Sequence, residues 1–179
     1  MLKTSRLARC AIAAASFLVA GAALAQGGTW QPEIGWGRIN GGRVLRNDIH
    51  DSNNAPSVDL AMGYRWDNGF GIRALYIGAM DPLKDLFNQP SPPTFNDFDG
   101  LQATGYFPLA TKFDLMTALG LGRTSLNRGV PGDHQELMEP VVSAGLQYNI
   151  VKYFSLELHA DYLARTHERN VTLLAEFPF

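Results

Sequence analysis

The chain has 179 residues, with 15 Lys and Arg against 17 Asp and Glu, and a single cysteine. A near-neutral balance without a basic run excludes a nucleic-acid surface built on lysine and arginine clusters. One cysteine excludes a framework of internal disulfides, and the length suits one domain.

The opening stretch MLKTSRLARC places Lys3, Arg6 and Arg9 ahead of the apolar run AIAAASFLVAGAALA, which closes on Ala23-Leu24-Ala25. A basic start, a short apolar centre and small residues at the exit predict a secretory signal peptide over 1–25, cleaved before Gln26. The run is short for a spanning helix. Cys10 follows an arginine where a lipid-modified cysteine needs a small residue, and it is removed with the signal. The remainder, 26–179, is predicted to be one exported barrel domain without cysteine. No later apolar stretch approaches the roughly 20 residues of a membrane helix. Any membrane role therefore falls to strands.

Segments with apolar residues at every second position then follow one another along the chain. The first, TWQPEIGWGR, is the least regular, because Pro32 cannot donate to a ladder and glycines interrupt it. In SVDLAMGYRW, Val58, Leu60, Met62, Tyr64 and Trp66 share a face opposite Asp59 and Arg65. The turn DNG at 67–69 makes a hairpin with FGIRALYIG, where Phe70, Ile72, Ala74 and Tyr76 oppose Gly71 and Arg73. Next, MDPLKDLF reads as a short capped helical turn, with Asp81 as cap and Pro82 at the first helical position, before the stiff QPSPPT.

GLQATGYF and FDLMTALGLG form a second pair through PLATK, with Leu101, Ala103, Phe107, Phe113, Leu115 and Leu119 on the apolar face. Gln102, Thr104, Tyr106, Asp114 and Met116 lie on the other. PVVSAGLQY and FSLELHADY form a third pair through NIVKY, with Glu157, His159 and Asp161 opposite Phe154, Leu156, Leu158 and Tyr162. The terminal NVTLLAEFPF alternates through Val171, Leu173, Ala175, Phe177 and Phe179, with Leu174 as the exception and Glu176 on the polar face.

That makes eight strands. Short links at 67–69, 108–112 and 149–153 alternate with longer ones at roughly 39–56, 79–97, 123–138 and 163–169. This layout predicts an all-β fold, an eight-stranded antiparallel up-and-down transmembrane barrel with one clipped rim and one looped rim.

Alternation alone does not say whether the apolar face points out to lipid or in, as in a soluble lipocalin-like ligand-binding barrel. Two features favour lipid. Trp30, Trp66, Phe70, Phe107, Phe113, Tyr148, Phe154 and Phe179 all fall at the clipped rim with apolar-face parity, as a membrane-interface girdle requires. A sparser set, Trp36, Tyr76 and Tyr162, falls near the other ends. The opposite face carries Glu33, Asp59, Arg65, Arg73, Asp114, Glu157, His159, Asp161 and Glu176, which are expected to form a lumenal polar network, because a base facing lipid at midplane costs about 2 to 4 kcal/mol.

The stretches DLAMGYRWDNGFGIRALYIG, YFPLATKFDLMTALGLG and AGLQYNIVKYFSLELHADY resemble hairpins of the small outer-membrane β-barrel family, the OmpA-like transmembrane domain and its relatives. The resemblance covers essentially all of 26–179 and is specific for fold, weak for activity. It implies a place in the outer membrane of a Gram-negative bacterium. It also implies that Phe177 and Phe179 act as a terminal signal for the barrel-assembly machinery. Pro178 departs from the pattern and puts the last hydrogen bond of the closing seam in doubt.

The function expected is a non-catalytic structural or surface-recognition role through the loops, without cofactor or metal. Its partners would be outer-membrane lipid and lipopolysaccharide, the assembly machinery and an unknown extracellular ligand, with no nucleic acid. Two alternatives stay open. One is a narrow ion-conducting pore, suggested by the acidic excess in the lumen. The other is a lipid A-modifying enzyme, because ELHADYLARTHERN and EFPF resemble stretches of lipid A deacylases, which use a His-X-Ser pair; here Asp161 stands at the serine position. His50, His134 and His167 lie in separate connections beside Asp51, Asp133 and Glu168; convergence on a metal is the sharper reading, and scattered loop polar groups the commoner one, which is adopted. Arg38, Arg123, Arg165 and Arg169 lie near the looped rim, at the level of lipopolysaccharide phosphates.

Overall fold

The computed structural model describes residues 27–41, 53–79, 94–127 and 134–179. The signal segment, His50 and the capped turn around Asp81 lie outside them. Eight strands run in chain order: β1 Gly28–Gly41, β2 Asn53–Trp66, β3 Phe70–Ala79, β4 Thr94–Ala110, β5 Phe113–Asn127, β6 His134–Val151, β7 Phe154–Leu163 and β8 Glu168–Glu176. Each pairs antiparallel with the next, and β1 pairs with β8, so the sheet closes into a barrel in sequence order.

Local chemistry sets the first hairpin. Gly69 adopts φ 84°, which a side chain disfavours, and donates its N–H to the Trp66 carbonyl at 3.0 Å. Asn68 Oδ1 accepts from the Phe70 N–H at 3.1 Å, as expected of an asparagine turn.

The strands extend further toward the looped rim than alternation suggests. β4, β5 and β6 run to 17, 15 and 18 residues, absorbing much of what reads as loop. Asp97 and Asp99, typical loop residues, sit on the outward side of β4 beside a register shift between Phe95 and Asp97. The connection expected at 163–169 is a tight turn, 164–167, with His167 at φ 58°.

β1 is regular through all of Gly28–Gly41 despite Pro32. Its glycines are what the closing seam requires: a Cβ at Gly37 would collide with the Thr172 hydroxyl and the Val171 carbonyl, and one at Gly35 would reach Leu174. Pairing continues beyond β8. The Phe177 N–H donates to the Pro32 carbonyl at 3.0 Å, and Trp30 and Phe179 exchange both backbone bonds at 3.0 and 3.1 Å. Residues 177 and 179 turn their donors to β1, so the donor Pro178 lacks would face the other way, and the seam stays bonded.

Gly37→Ala is therefore expected to destabilise the barrel by about 1 to 3 kcal/mol through overpacking of the seam. Gly63→Ala, where a methyl meets Glu33 at an ordinary 3.4 Å, should cost far less. Urea midpoints of the folded, unboiled band in vesicles measure both.

Candidate functional site: the lumen and its two rims

Strand parity divides the side chains. Leu60, Phe70, Ile72, Leu101, Leu119, Leu158 and Leu173 are exposed on the outer surface, while Glu33, Asp59, Arg73, Gln102, Glu157, His159 and Asp161 are buried within the barrel. From the clipped rim upward, the interior is built in four layers.

The lowest layer centres on Arg65, whose guanidinium lies 4.3 Å over the Tyr106 ring and donates to Asp114 Oδ2 and Gln147 Oε1 at 3.4 Å. Asn149 also donates to Asp114, at 3.2 Å, and Gln147 Nε2 donates to Glu176. Above it, Arg73 pairs with Glu33 and stands 3.8 Å from Glu157. Gly63, opposite Arg73 on β2, carries no side chain, which lets the guanidinium reach Glu33 across that strand.

His159 sits between two carboxylates, with Nδ1 2.7 Å from Glu157 Oε1 and Nε2 2.7 Å from Asp161 Oδ1. With both carboxylates ionised, both contacts are hydrogen bonds only when the ring carries both protons. Ser143 donates to Asp161 at 2.6 Å, and Gln102 donates to Ser143 at 2.6 Å. Asp59 accepts from Asn170 at 2.7 Å and from Thr172 at 2.6 Å. The nine charged or titratable residues proposed from sequence thus all lie inside, in two linked clusters around Arg65 and Arg73.

The next layer is apolar. Ile39, Leu75, Ile77, Phe95, Phe98, Leu126, Val141 and Leu163 form one buried cluster across the barrel. Phe98 is fully buried and lies against the backbones of Gly100 and Gly122, which leave room for its ring. Sequence reasoning missed this layer.

Above it Glu139, also buried, clasps the β7–β8 turn. It accepts from the Arg165 and Thr166 N–H groups at 3.0 Å and from the hydroxyls of Thr166 and Thr124.

Outside, the clipped rim carries rings in pairs that link neighbouring strands: Trp30–Tyr64 at 5.0 Å, Phe70–Phe107 at 6.4 Å, Phe113–Tyr148 at 4.9 Å and Phe154–Phe177 at 5.5 Å. Trp66 meets Tyr64 edge-on at 5.7 Å, and Phe179 is exposed at the end of the seam. Tyr64 is absent from the sequence-based girdle and is its most buried member. At the looped rim, His167 Nδ1 lies 2.7 Å from the Tyr162 hydroxyl. Among the described residues no group of three or more His, Cys, Asp or Glu could hold a metal.

Solved outer-membrane barrels share this architecture. The N-terminal β-barrel domain of Pseudomonas aeruginosa OprF superposes with a TM-score of 0.57 at 16% identity, covering 86% of this chain and 98% of that one. Neisserial surface protein A gives 0.56 at 15%, covering 86% and 98%. Ail, the attachment invasion locus protein of Yersinia pestis, gives 0.51 at 17%, covering 86% and 100%. The fold is that of the small outer-membrane β-barrels. No family model matches the chain, and no curated protein matches it.

In this transmembrane barrel the identities are low enough that the likeness carries fold alone. Chemistry has to come from the lumen and the rims. No hydroxyl lies two residues from His159, whose ring nitrogens both face carboxylates, so the deacylase-like His-X-Ser arrangement is absent.

Proposed function

We propose that the protein is an outer-membrane barrel of a Gram-negative bacterium, exported by a cleaved signal at 1–25, that neither conducts ions nor modifies lipid A. It serves membrane integrity and surface recognition. Its belt meets outer-membrane lipid and lipopolysaccharide, Phe177 and Phe179 present the terminal strand to the barrel-assembly machinery, and recognition of an extracellular ligand falls to its loops.

The observation that carries this reading is the filled lumen. Ions would have to cross the paired charges around Arg73 and His159, then the apolar layer around Phe98 and Ile77, which offers no polar atom to replace hydration. The eight aromatic positions at the clipped rim support a membrane-interface belt, because amphipathic rings favour that level.

Planar-bilayer recording tests the closed lumen. No unitary current steps are expected from the full chain after removal of its leader; regular steps that shift with Glu157→Gln would establish a pore. Lipid A mass spectra from producing cells should be unchanged, whereas loss of an acyl chain, abolished by His159→Ala, would establish the enzyme.

A further inference from the structure

The clipped rim is electrically lopsided. Three hairpins turn there, and two of their tips, Thr111-Lys112 between β4 and β5 and Lys152-Tyr153 between β6 and β7, carry the lysines found among the described residues. The third tip, Asp67-Asn68 between β2 and β3, carries an acid and no base. Residues 107–113 and 148–154 include no Asp or Glu, and the neighbouring carboxylate, Asp114, turns into the lumen to meet Arg65. The looped rim is different: Arg123 there is enclosed by Asp99 and Glu136, at 3.0 and 3.2 Å.

Pairing brings the two lysines into one sector. β5 and β6 are neighbours with Phe113 opposite Tyr148, and one step beyond that pair the Asn149 N–H donates to the Lys112 carbonyl at 2.8 Å. The midlines of the two hairpins are therefore two strand spacings apart, about 10 Å. Each ammonium also has a ring beside it. Lys112 Nζ stands 6.0 Å from the centre of the Tyr148 ring, and Lys152 Nζ 5.2 Å from that of Tyr153. An ammonium has three donors, so contact with one ring face leaves others for an anion.

Height and apolar surface select a lipid as the source of that anion. Lys112 lies one residue beyond Phe113 and Lys152 two beyond Phe154, so their backbones sit roughly 3 to 7 Å past the aromatic belt at the rise of a strand. Leu109, Val151 and Tyr153 flank them and are 61%, 60% and 61% exposed. A cluster of large exposed apolar groups marks a contact surface. Here it suits the glycerol and upper acyl region, while the lysine stems extend past it to carry their charge to the phosphates.

Resting on the outer-membrane reading above, we propose that Lys112 and Lys152, with the Tyr153 hydroxyl as a further donor, hold the phosphate of an anionic glycerophospholipid in the leaflet on the clipped-rim side. Leu109 and Val151 lie against its glycerol and first acyl carbons.

The test refolds the barrel into phosphatidylcholine vesicles with and without phosphatidylglycerol and follows the unfolding temperature by the mobility of unboiled samples, each variant measured against its own value in pure phosphatidylcholine. A ligand that binds only the folded barrel raises that temperature, and phosphatidylcholine, whose phosphate is already neutralised by its own cation, is the reference. Phosphatidylglycerol should raise it for the wild type and for R123Q/R169Q, which removes two cations from the looped rim, whereas K112Q/K152Q should lose most of the rise and K112R/K152R should keep it. Soluble glycerol phosphate should have no effect. The inference is overturned if the wild type shows no rise, if K112Q/K152Q keeps the full rise, if R123Q/R169Q loses as much of it, or if glycerol phosphate reproduces it. If the double lysine variant does not insert, K112Q and K152Q singly carry the test, each expected to lose part of the rise, and a full rise in both overturns it. Failure of the wild type to insert at all would instead remove the outer-membrane reading.

Discussion

Arg73→Met is expected to be the most damaging single substitution in the lumen, lowering stability by about 3 to 5 kcal/mol, the usual cost of breaking a buried ion pair from one side. The Arg73 and Glu33 side chains are each 1% exposed, and the Glu157 side chain is fully buried. Removing the guanidinium strands the buried Glu33 without its cation and leaves Glu157 with His159 alone. The double variant E33Q/R73M should recover part of the loss, since the stranded charge disappears. Urea titration in vesicles, read by gel mobility, measures both. An unchanged midpoint for R73M would mean that water, and not Arg73, neutralises the cluster.

Leu158→Arg should cost about 2 to 4 kcal/mol when the barrel is folded in a bilayer, because position 158 points outward from the middle of β7 and is 58% exposed. The side chain would have to shed its hydration among acyl chains, or drag water inward. Leu158→Ala is the matched control: it removes apolar contact with lipid but introduces no charge, and should cost much less. If the surrounding medium were water, the ranking would reverse, with arginine harmless at an exposed site. Comparison of refolding yields and urea midpoints for the two variants decides between the two media.

Much of this fold was legible in the sequence because a barrel strand has a strict period of two and one hairpin turn, Asp67-Asn68-Gly69, has unambiguous chemistry. Parity assigned Arg73, Asp59 and His159 to one face. It did not assign height, so the meeting of Arg73 with Glu33, from a strand far away in sequence, needed the register that sets Gly63 beside Arg73 and Ala61 beside Glu33.

The apolar layer was hidden for a different reason. In ALYIG both parities are apolar, so Leu75 and Ile77 could not be told from lipid-facing residues. Phe95, Phe98 and Leu126 sit among Asn96, Asp97, Asp99 and Asn127, which read as loop. Long strands that rise beyond the alternating belt lose the pattern while keeping the ladder. Leu174, the exception in the last strand, faces inward over Gly35, a contact visible only once β1 and β8 close.

Pro178 misled for a physical reason as well. A missing donor matters only if it faces a partner, and the direction of each N–H depends on the register of the final pairing. Trp30 and Phe179 make that pairing.

The central claim, that the apolar face looks out to lipid and the charged face looks in, is tested most directly by site-directed spin labelling at Leu60 and Leu158 in reconstituted vesicles. The account predicts high accessibility to oxygen and low accessibility to a water-soluble nickel relaxant at both sites. Labels that are shielded from both reagents, as inside a closed cavity, or that are freely reached by nickel, would contradict it.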